Sequence, residues 1–210
     1  MKKIKIAAVL LAIAALSVNV AGCAARFDAK TYVQGSLDAQ FKNEISDNYA
    51  KITEGGKDAI QESYDETIGE LSSLFVSMGC PEDMAEDFKT ATGDLLKVCK
   101  YTVGDAVKDD DDNYTVPVEI EPIEFLTTEM QTEMQAHVMQ WTMEQGENAT
   151  EEAILNETFG YMLTKFQETA ANPKYGEPKT IDVHVKKVSD NLYDIPVEDQ
   201  EALSIAMLGM

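Results

Sequence analysis

The chain has 210 residues, and 44% of them are hydrophobic, a share typical of a globular protein and too high for a disordered one. Its 17 basic and 38 acidic residues give a formal net charge of −21 at pH 7. Because such an acidic surface repels phosphate backbones, we expect no nucleic-acid partner.

The N-terminal segment has the layout of a secretory signal. Three lysines within the first five residues precede an apolar run over residues 6–20, and small residues follow it. The run of about 15 residues is shorter than the roughly 20 that a membrane-spanning helix needs, which favours a cleaved signal over a permanent anchor. The sequence therefore predicts a signal peptide over residues 1–22.

Cys23 directly follows this signal. The sequence Val20-Ala21-Gly22-Cys23 resembles the lipobox of bacterial lipoproteins. The resemblance implies cleavage between Gly22 and Cys23, a diacylglyceryl thioether on Cys23, and a lipid-anchored position on the extracytoplasmic face of the cell membrane. Two acyl chains anchor a protein stably, whereas one chain holds it only marginally. The alternative is a cysteine that follows a plain signal peptide by chance.

Without residues 1–22 the chain keeps 14 basic against 38 acidic residues, a net charge of −24. Residues 23–30 form a predicted lipidated tether. The acidic surface repels anionic head groups within a Debye length of about 8 Å, so we expect a domain that is held near the membrane without lying flat on it. The alternative interpretation is that the acidity only keeps the protein soluble.

Apolar residues at three- and four-residue steps predict three helices in the first half of the chain. The first covers residues 32–45, before a turn at Gly55-Gly56, and the second covers about residues 57–78. The third has Pro81 as its first residue and continues to about residue 97.

Cys80 and Cys99 flank this third helix. Helical rise separates them by roughly 25 Å, whereas a disulfide needs about 6 Å between Cα atoms. We therefore predict two unpaired, partly buried thiols, although an exported protein would permit a disulfide.

Strand pairs follow each group of helices, because apolar residues alternate at period two. The first pair covers residues 101–107 and 114–120 around a turn at 109–113, and the second covers 181–185 and 193–197 around a turn at 189–191. The second arms contain Pro117 and Pro196. Since proline has no N–H, we expect each of these arms to lie at a sheet edge or to carry a bulge.

Three more helices are predicted in the second half. Pro122 opens a helix that Gly146 ends, Thr150 caps another that stops before residues 172–173, and a last short helix covers about residues 199–208.

The two second arms are near copies, since residues 114–119 match residues 193–198 at five of six positions. This match indicates an internal duplication, and chance convergence of two hairpins is the alternative. The sequence therefore predicts an α+β fold of two repeats, residues 31–122 and 123–210. Each repeat has helices followed by an antiparallel β-hairpin, and we expect the hairpins to share one four-stranded sheet.

With this layout the chain resembles a group of lipoproteins from gut-dwelling Gram-positive bacteria, in which helices and a β-hairpin follow a lipobox, often twice. The resemblance spans the whole mature chain in layout, and its one sharp motif is the stretch from Val20 to Cys23. The group has no assigned activity, so the resemblance implies no catalytic residues.

Residues with catalytic or metal-binding chemistry are scarce. His137 and His184 are the only histidines, and neither has metal-ligand spacing to another histidine or to a cysteine. We expect His137 to be hydrogen-bonded on a helix surface and His184 to face away from the core. The sequence thus predicts no zinc site, no Ser-His-Asp triad, no cofactor and no enzymatic activity.

An aspartate run occupies the first predicted hairpin turn. It lacks the glycine at the sixth place and the glutamate at the twelfth place of a calcium-binding loop. We expect a solvated hairpin tip there and leave weak cation binding open at four residues, Asp109, Asp110, Asp111 and Asp112.

Met139 and Met143 lie beside the apolar stripe that Met130 and Met134 share. If exposed, they would indicate a surface for a protein, peptide or glycan partner. The favoured hypothesis is a non-enzymatic binding or envelope-structural lipoprotein. The alternatives are a ligand-capturing lipoprotein that serves a transporter and, less favoured, an extracellular hydrolase.

Overall fold

The computed structural model describes residues 18–19, 27–125, 127–189 and 192–209. The α-helices in these residues are α1 (Ala29–Leu37), α2 (Asp47–Ile52), α3 (Gly56–Ser77), α4 (Ala85–Lys97), α5 (Thr128–Gln145), α6 (Glu151–Ala171) and α7 (Val197–Met207). The β-strands are β1 (Val18–Asn19), β2 (Lys100–Val103), β3 (Val107–Lys108), β4 (Tyr114–Glu121), β5 (Lys179–Ser189) and β6 (Leu192–Asp194). The predicted α+β class is confirmed.

The strands form one antiparallel sheet in the order β1-β6-β5-β4-β2, with β3 also paired to β4. Strands β4 and β5 join the first hairpin to the second, so the two hairpins share a sheet, as predicted, although the sheet has six strands in the described residues and not four. Strand β1 pairs with β6 and belongs to the segment that the predicted cleavage removes.

Pro117 lies inside β4, which has neighbours on both sides, so its predicted position at a sheet edge is wrong. The alternative, a bulge in the arm itself, is also absent, because β4 pairs with β5 in an unbroken register and the extra residue lies in the neighbouring segment. Residues 104–106, between β2 and β3, lie opposite only Val116 and Pro117. Gly104 N donates to Pro117 O at 2.8 Å. The nitrogen of Pro117, which has no hydrogen, points to the same gap between β2 and β3, so its lack of an N–H costs no hydrogen bond of the sheet.

Pro196 has a different role from Pro117. It follows β6 and precedes α7, so Val197 begins a helix and the predicted second arm over residues 193–197 is too long. The two matching segments therefore have different structures, and the internal duplication stays a prediction.

The helices pack on one face of the sheet. Alternate residues of the central strands are buried there, among them Val116, Val118, Val183 and Val185, while His184 points to solvent. Aromatic rings extend this core between the helices. The ring of Phe75 in α3 stacks on Phe88 in α4 at 4.7 Å and meets the edge of Phe166 in α6 at 5.9 Å.

The first predicted helix is shorter than expected and changes form. After α1 the chain continues as a π-helix over Asp38–Lys42, and Asn43 ends it in the left-handed conformation, with φ of 55°. Ser46 then caps the separate helix α2 by accepting from Tyr49 N at 3.2 Å. Ile45 therefore lies between two helices and not within one.

Other helices agree closely with the predictions, α3, α6 and α7 among them, and Thr150 caps α6. The predicted first residues of two helices, α4 and α5, are wrong. Pro81 precedes a 3₁₀ turn, Glu82–Met84, and α4 begins after it. Pro122 ends the β4 segment, and Thr127 caps α5 by accepting from Met130 N at 3.1 Å. Leu126 and part of the predicted turn at 189–191 lie outside the described residues.

Cys80 and Cys99 are unpaired, as predicted. Both are buried more fully than expected, with only 4% and 3% of their surface exposed.

Candidate functional site

Four aromatic side chains cluster just before helix α1. Phe27 stacks face to face on Tyr193 of β6, with 3.7 Å between ring centroids and 1° between planes. It also packs against Tyr114 of β4 at 5.5 Å and Tyr32 of α1 at 5.8 Å. We call Phe27, Tyr32, Tyr114 and Tyr193 the aromatic dock, because they hold the chain against the sheet.

Asp28, the next residue, caps α1. Its side chain accepts from Lys30 N at 3.1 Å, from Thr31 N at 3.3 Å and from the Thr31 hydroxyl at 2.7 Å. This cap supplies acceptors to N–H groups that the first helical turn cannot pair internally. The chain is thus fixed to the domain from Phe27 onward. The predicted cleavage and lipidation residues, Gly22 and Cys23, lie outside the described residues.

The tip of the first hairpin lies next to the aromatic dock, since Tyr114 directly follows its turn. Asp109 organises this turn by accepting from Asp111 N and Asn113 N, both at 2.9 Å. Asp112 forms ion pairs with Lys108 and, at 3.0 Å, with Lys187 of β5. The two lysines lower the pKa of Asp112 to about 2, through hydrogen bonds first and charge second.

This use of Asp109 and Asp112 within the protein bears on the cation hypothesis. Two of the four carboxylates at the tip already have partners, and Asp110 and Asp111 are exposed. Among the described residues, no group of three or more His, Cys, Asp or Glu side chains is arranged to hold a metal ion. Weak cation binding at the tip stays a prediction.

Helix α5 lies at the periphery of the fold. Met130 and Met134 on its inner stripe are half-buried, and none of its residues is fully buried. Met139 and Met143, one turn apart, expose 58% and 72% of their surface. Both methionines are thus exposed, as the hypothesis of a partner surface requires, while binding of a partner there stays a prediction.

Each histidine contacts a carboxylate. The Nε2 atom of His137 in α5 lies 2.6 Å from Glu157 Oε1 in α6, and its ring stacks on Tyr161. His184 Nδ1 lies 2.9 Å from Asp199 Oδ2, and Asp199 also accepts from the backbone N–H of His184 at 2.7 Å. These contacts join secondary-structure elements, and they agree with the predicted surface positions of both residues.

A polar cluster at the π-helix was not predicted. Asp38 accepts from the Tyr101 hydroxyl at 2.6 Å and from Gln34 Nε2 at 2.9 Å, and Lys42 Nζ lies 4.3 Å from the centre of the Tyr101 ring. Burial, followed by the bond to Asp38, raises the pKa of Tyr101 strongly. The spacing of Gln34, Asp38 and Lys42 could have indicated a polar helix stripe, but Tyr101 is 63 residues away from Asp38. The cluster fixes α1 to β2.

A shallow depression on α3 completes the candidate sites. Its lining comes from one helix alone and is mostly acidic: Asp58, Gln61, Glu62, Asp65 and Glu66.

Comparison with solved structures gives one informative neighbour. It is YcdA, a candidate lipoprotein from Bacillus subtilis, which matches with a TM-score of 0.59 at 16% sequence identity. The match covers 86% of this chain and 56% of YcdA, so this chain spans little more than half the length of that protein. No family model matches the chain, and no curated protein matches it.

At this identity the match to YcdA shows a shared fold and nothing further. The neighbour therefore agrees with the α+β architecture described above, while function depends on the residues of this chain. Among the described residues, no helix combines the length and the apolar composition that a bilayer crossing requires.

Proposed function

We propose that this protein is anchored by a lipid on Cys23 to the extracytoplasmic face of the cell membrane, where it has a non-enzymatic binding or envelope-structural role. The observation that carries the proposal is the sequence Val20-Ala21-Gly22-Cys23 after a basic and apolar leader. The shared fold with YcdA, a candidate lipoprotein, supports it.

Mass spectrometry of the membrane fraction tests the anchor. We expect a mature chain that begins at Cys23 and carries the mass of a diacylglyceryl group. A Cys23→Ser variant should lack this mass, and its membrane fraction should contain no cleaved, lipidated chain. Cys80→Ser is the matched control, because Cys80 is a buried free thiol and its replacement should leave anchoring intact. An unmodified Cys23 in a membrane-bound wild-type chain would disprove the anchor.

For the binding role, we propose that Met139 and Met143 on α5 form the contact surface for a protein or peptide partner. Methionine side chains are flexible and polarizable, and they adapt to apolar partners. The neighbouring methionines Met130 and Met134 pack inward, so the exposed pair is not required for the core. A glycan partner would instead require hydrogen-bonding groups, which two thioethers do not supply.

Photo-cross-linking on intact cells tests this surface. A photoreactive residue at position 139 should give a specific adduct that a Met143→Gln change weakens. A photoreactive residue at position 197 is the matched control, since Val197 is 63% exposed but lies on α7. Equal labelling from both positions would contradict the proposed surface.

A thermal-shift screen distinguishes this role from ligand capture. The chain from Ala24 onward is heated with calcium, amino acids, short peptides and sugars. A ligand at one hundred times its dissociation constant adds about 2.7 kcal/mol of stability, which the screen resolves. We expect no shift with calcium, amino acids or sugars, and a clear shift with one of these three classes would favour the ligand-capturing alternative.

A further inference from the structure

The aromatic dock and the lipid together constrain how the domain faces the membrane. Four Cα–Cα steps separate Cys23 from Phe27. Fully extended, four residues span at most about 14 Å. If Cys23 carries the lipid, as proposed above, then the Cα atom of Phe27 lies within about 14 Å of the Cα atom of Cys23, and the Cys23 side chain and glyceryl group make up the rest of the distance to the acyl chains. The side chain and glyceryl group of a lipidated Cys23 lie within the polar head-group layer, which is roughly 6 Å thick.

Phe27 is also fixed to one particular end of the sheet. It stacks on Tyr193 of β6 and packs against Tyr114 of β4. Tyr114 follows the turn of the first hairpin, and Tyr193 pairs with Lys187 near the end of β5. We call the turn at residues 109–113, together with β3 and residues 186–189 of β5, the hairpin end.

Side-chain contacts connect the parts of the hairpin end to one another. The side chain of Asn113 accepts from Lys187 N at 2.9 Å, which connects the first hairpin to the second. Asp112 adds ion pairs with Lys108 and Lys187. A short tether on Phe27 therefore holds this whole end, and not a single loop, beside the membrane.

We infer that the hairpin end of the sheet faces the lipid bilayer and that the opposite end of β5, near Lys179, points away from it. The proposal rests on the proposed lipidation of Cys23. Two further features agree with this orientation. Strand β5 is 11 residues long, or about 36 Å, which is more than the reach of the tether. The far end of β5 can therefore approach the membrane only if the domain lies flat. The net charge of −24 opposes a flat position on anionic lipids.

The hairpin end exposes two apolar side chains beside the carboxylates of Asp109, Asp110 and Asp111, a surface that suits zwitterionic head groups and not anionic ones. Val107 and Val188 are exposed there by 68% and 60%. The charges of Lys108 and Lys187 are paired with Asp112. Val107 and Val188 are therefore the side chains that we expect to contact the head-group region.

Fluorescence quenching on vesicles tests the orientation. A bimane probe is placed on Asp110→Cys at the hairpin end and, as the matched control, on Thr180→Cys at the far end of β5. Both positions are exposed, and the buried thiols of Cys80 and Cys99 should not react. The lipidated protein is inserted into phosphatidylcholine vesicles that contain a nitroxide quencher on the head group. We expect at least twofold stronger quenching at position 110 than at position 180. Equal quenching, or stronger quenching at position 180, would overturn the inference.

A longer tether provides the second test. Ten glycine and serine residues inserted between Ala25 and Arg26 should remove most of the difference between the two probes, because the dock would no longer be held close to the lipid. A difference that survives the insertion would show that the tether does not set the orientation.

Failure of the lipid anchor can be separated from failure of the orientation. Intact mass of the inserted protein reports first whether Cys23 carries lipid. If it does not, a phospholipid thioester, which reacts selectively with an N-terminal cysteine, attaches a lipid at Cys23 of a chain without residues 1–22 and leaves the thiol at position 110 or 180 for the probe. The quenching ratio then tests the orientation by itself.

Discussion

Gly35 in α1 lies directly beneath the ring of Tyr49 from α2, and this contact decides which residue the position accepts. A Cβ atom on Gly35 would lie 2.6 Å from Tyr49 Cδ2, closer than real Cβ contacts. Tyr49 is fully buried, so its ring could move away only by displacing other core side chains. Gly35 is therefore required by close packing, although alanine is the better helix former.

We predict that Gly35→Ala lowers the free energy of unfolding by about 2 kcal/mol, because overpacking outweighs the gain in helix propensity. Gly69→Ala is the matched control, since a Cβ atom at that position in α3 would meet nothing within 4 Å. This control should raise the free energy of unfolding by about 1 kcal/mol. Urea denaturation measures both changes, and a stabilising Gly35→Ala would contradict the packing argument.

The buried thiol of Cys99 predicts a loss of stability at alkaline pH. Burial raises its pKa from 9.0 to about 12. Below pH 9 the folded and unfolded chains both keep this proton, so its stabilising contribution is complete. Between pH 9 and 12 only the unfolded chain loses the proton, and stability falls as pH rises.

From pH 8 to pH 10, this group should cost about 1 kcal/mol of unfolding free energy. Comparison with Cys99→Ala isolates the effect, because buried tyrosines such as Tyr32 and Tyr101, whose pKa values are also raised, are present in both proteins. The wild-type chain should lose more stability over this range than the variant. Parallel losses would show that Cys99 ionises normally.

At the scale of elements, α7 covers the part of β5 that the short strand β6 leaves open. Residues 186–189 of β5 pair with β6, and His184 lies beyond them. Asp199 in the first turn of α7 accepts from the His184 backbone N–H at 2.7 Å and therefore substitutes for a strand partner. Covering an edge in this way prevents it from pairing with another chain.

We predict that Asp199→Ala lowers the free energy of unfolding by about 1–3 kcal/mol, because it leaves the His184 N–H without its acceptor. The side chain of Asp199 is only 14% exposed. In the control His184→Ala the backbone bond remains and only a half-exposed side-chain contact is lost, which should cost less than about 1 kcal/mol. Denaturant midpoints and the exchange rate of the residue-184 amide separate the two variants. Equal losses would contradict the role of Asp199 as an edge cap.

The sequence predicts elements well where local chemistry decides their form. Helix α6 is one example, because Thr150 caps it and apolar residues repeat at helical steps. Elements set by distant contacts were missed. The cluster around Asp38 includes Tyr101 of β2, which is distant in sequence. The position of Pro117 within β4 depends on an interruption in a neighbouring strand. The aromatic dock was missed for the same reason. The sequence assigns Phe27 to the tether, and only the fold shows that it stacks on Tyr193.

At the scale of the whole molecule, the proposed membrane anchor and the folded domain meet at the aromatic dock. Phe27 contributes apolar surface to Tyr32, Tyr114 and Tyr193, and Asp28 caps α1. These two residues connect the N-terminal segment to three separate elements of the fold. A pull on the tether is therefore transmitted to the sheet and to the first helix together.

We predict that the free energy of unfolding of a chain beginning at Ala29 is about 3 kcal/mol lower than that of a chain beginning at Ala24. The loss combines a helix cap, worth about 1 kcal/mol, with the partial burial of a phenylalanine, worth about 2 kcal/mol. Calorimetry should show a melting temperature lower by roughly 6–12 °C for a domain of this size. Asp28→Ala and Phe27→Ala, each in the Ala24 chain, should divide the loss between cap and ring. Equal stability of the two chains would mean that the dock does not hold the N-terminal segment, and the close approach of the hairpin end to the membrane would then have no structural basis.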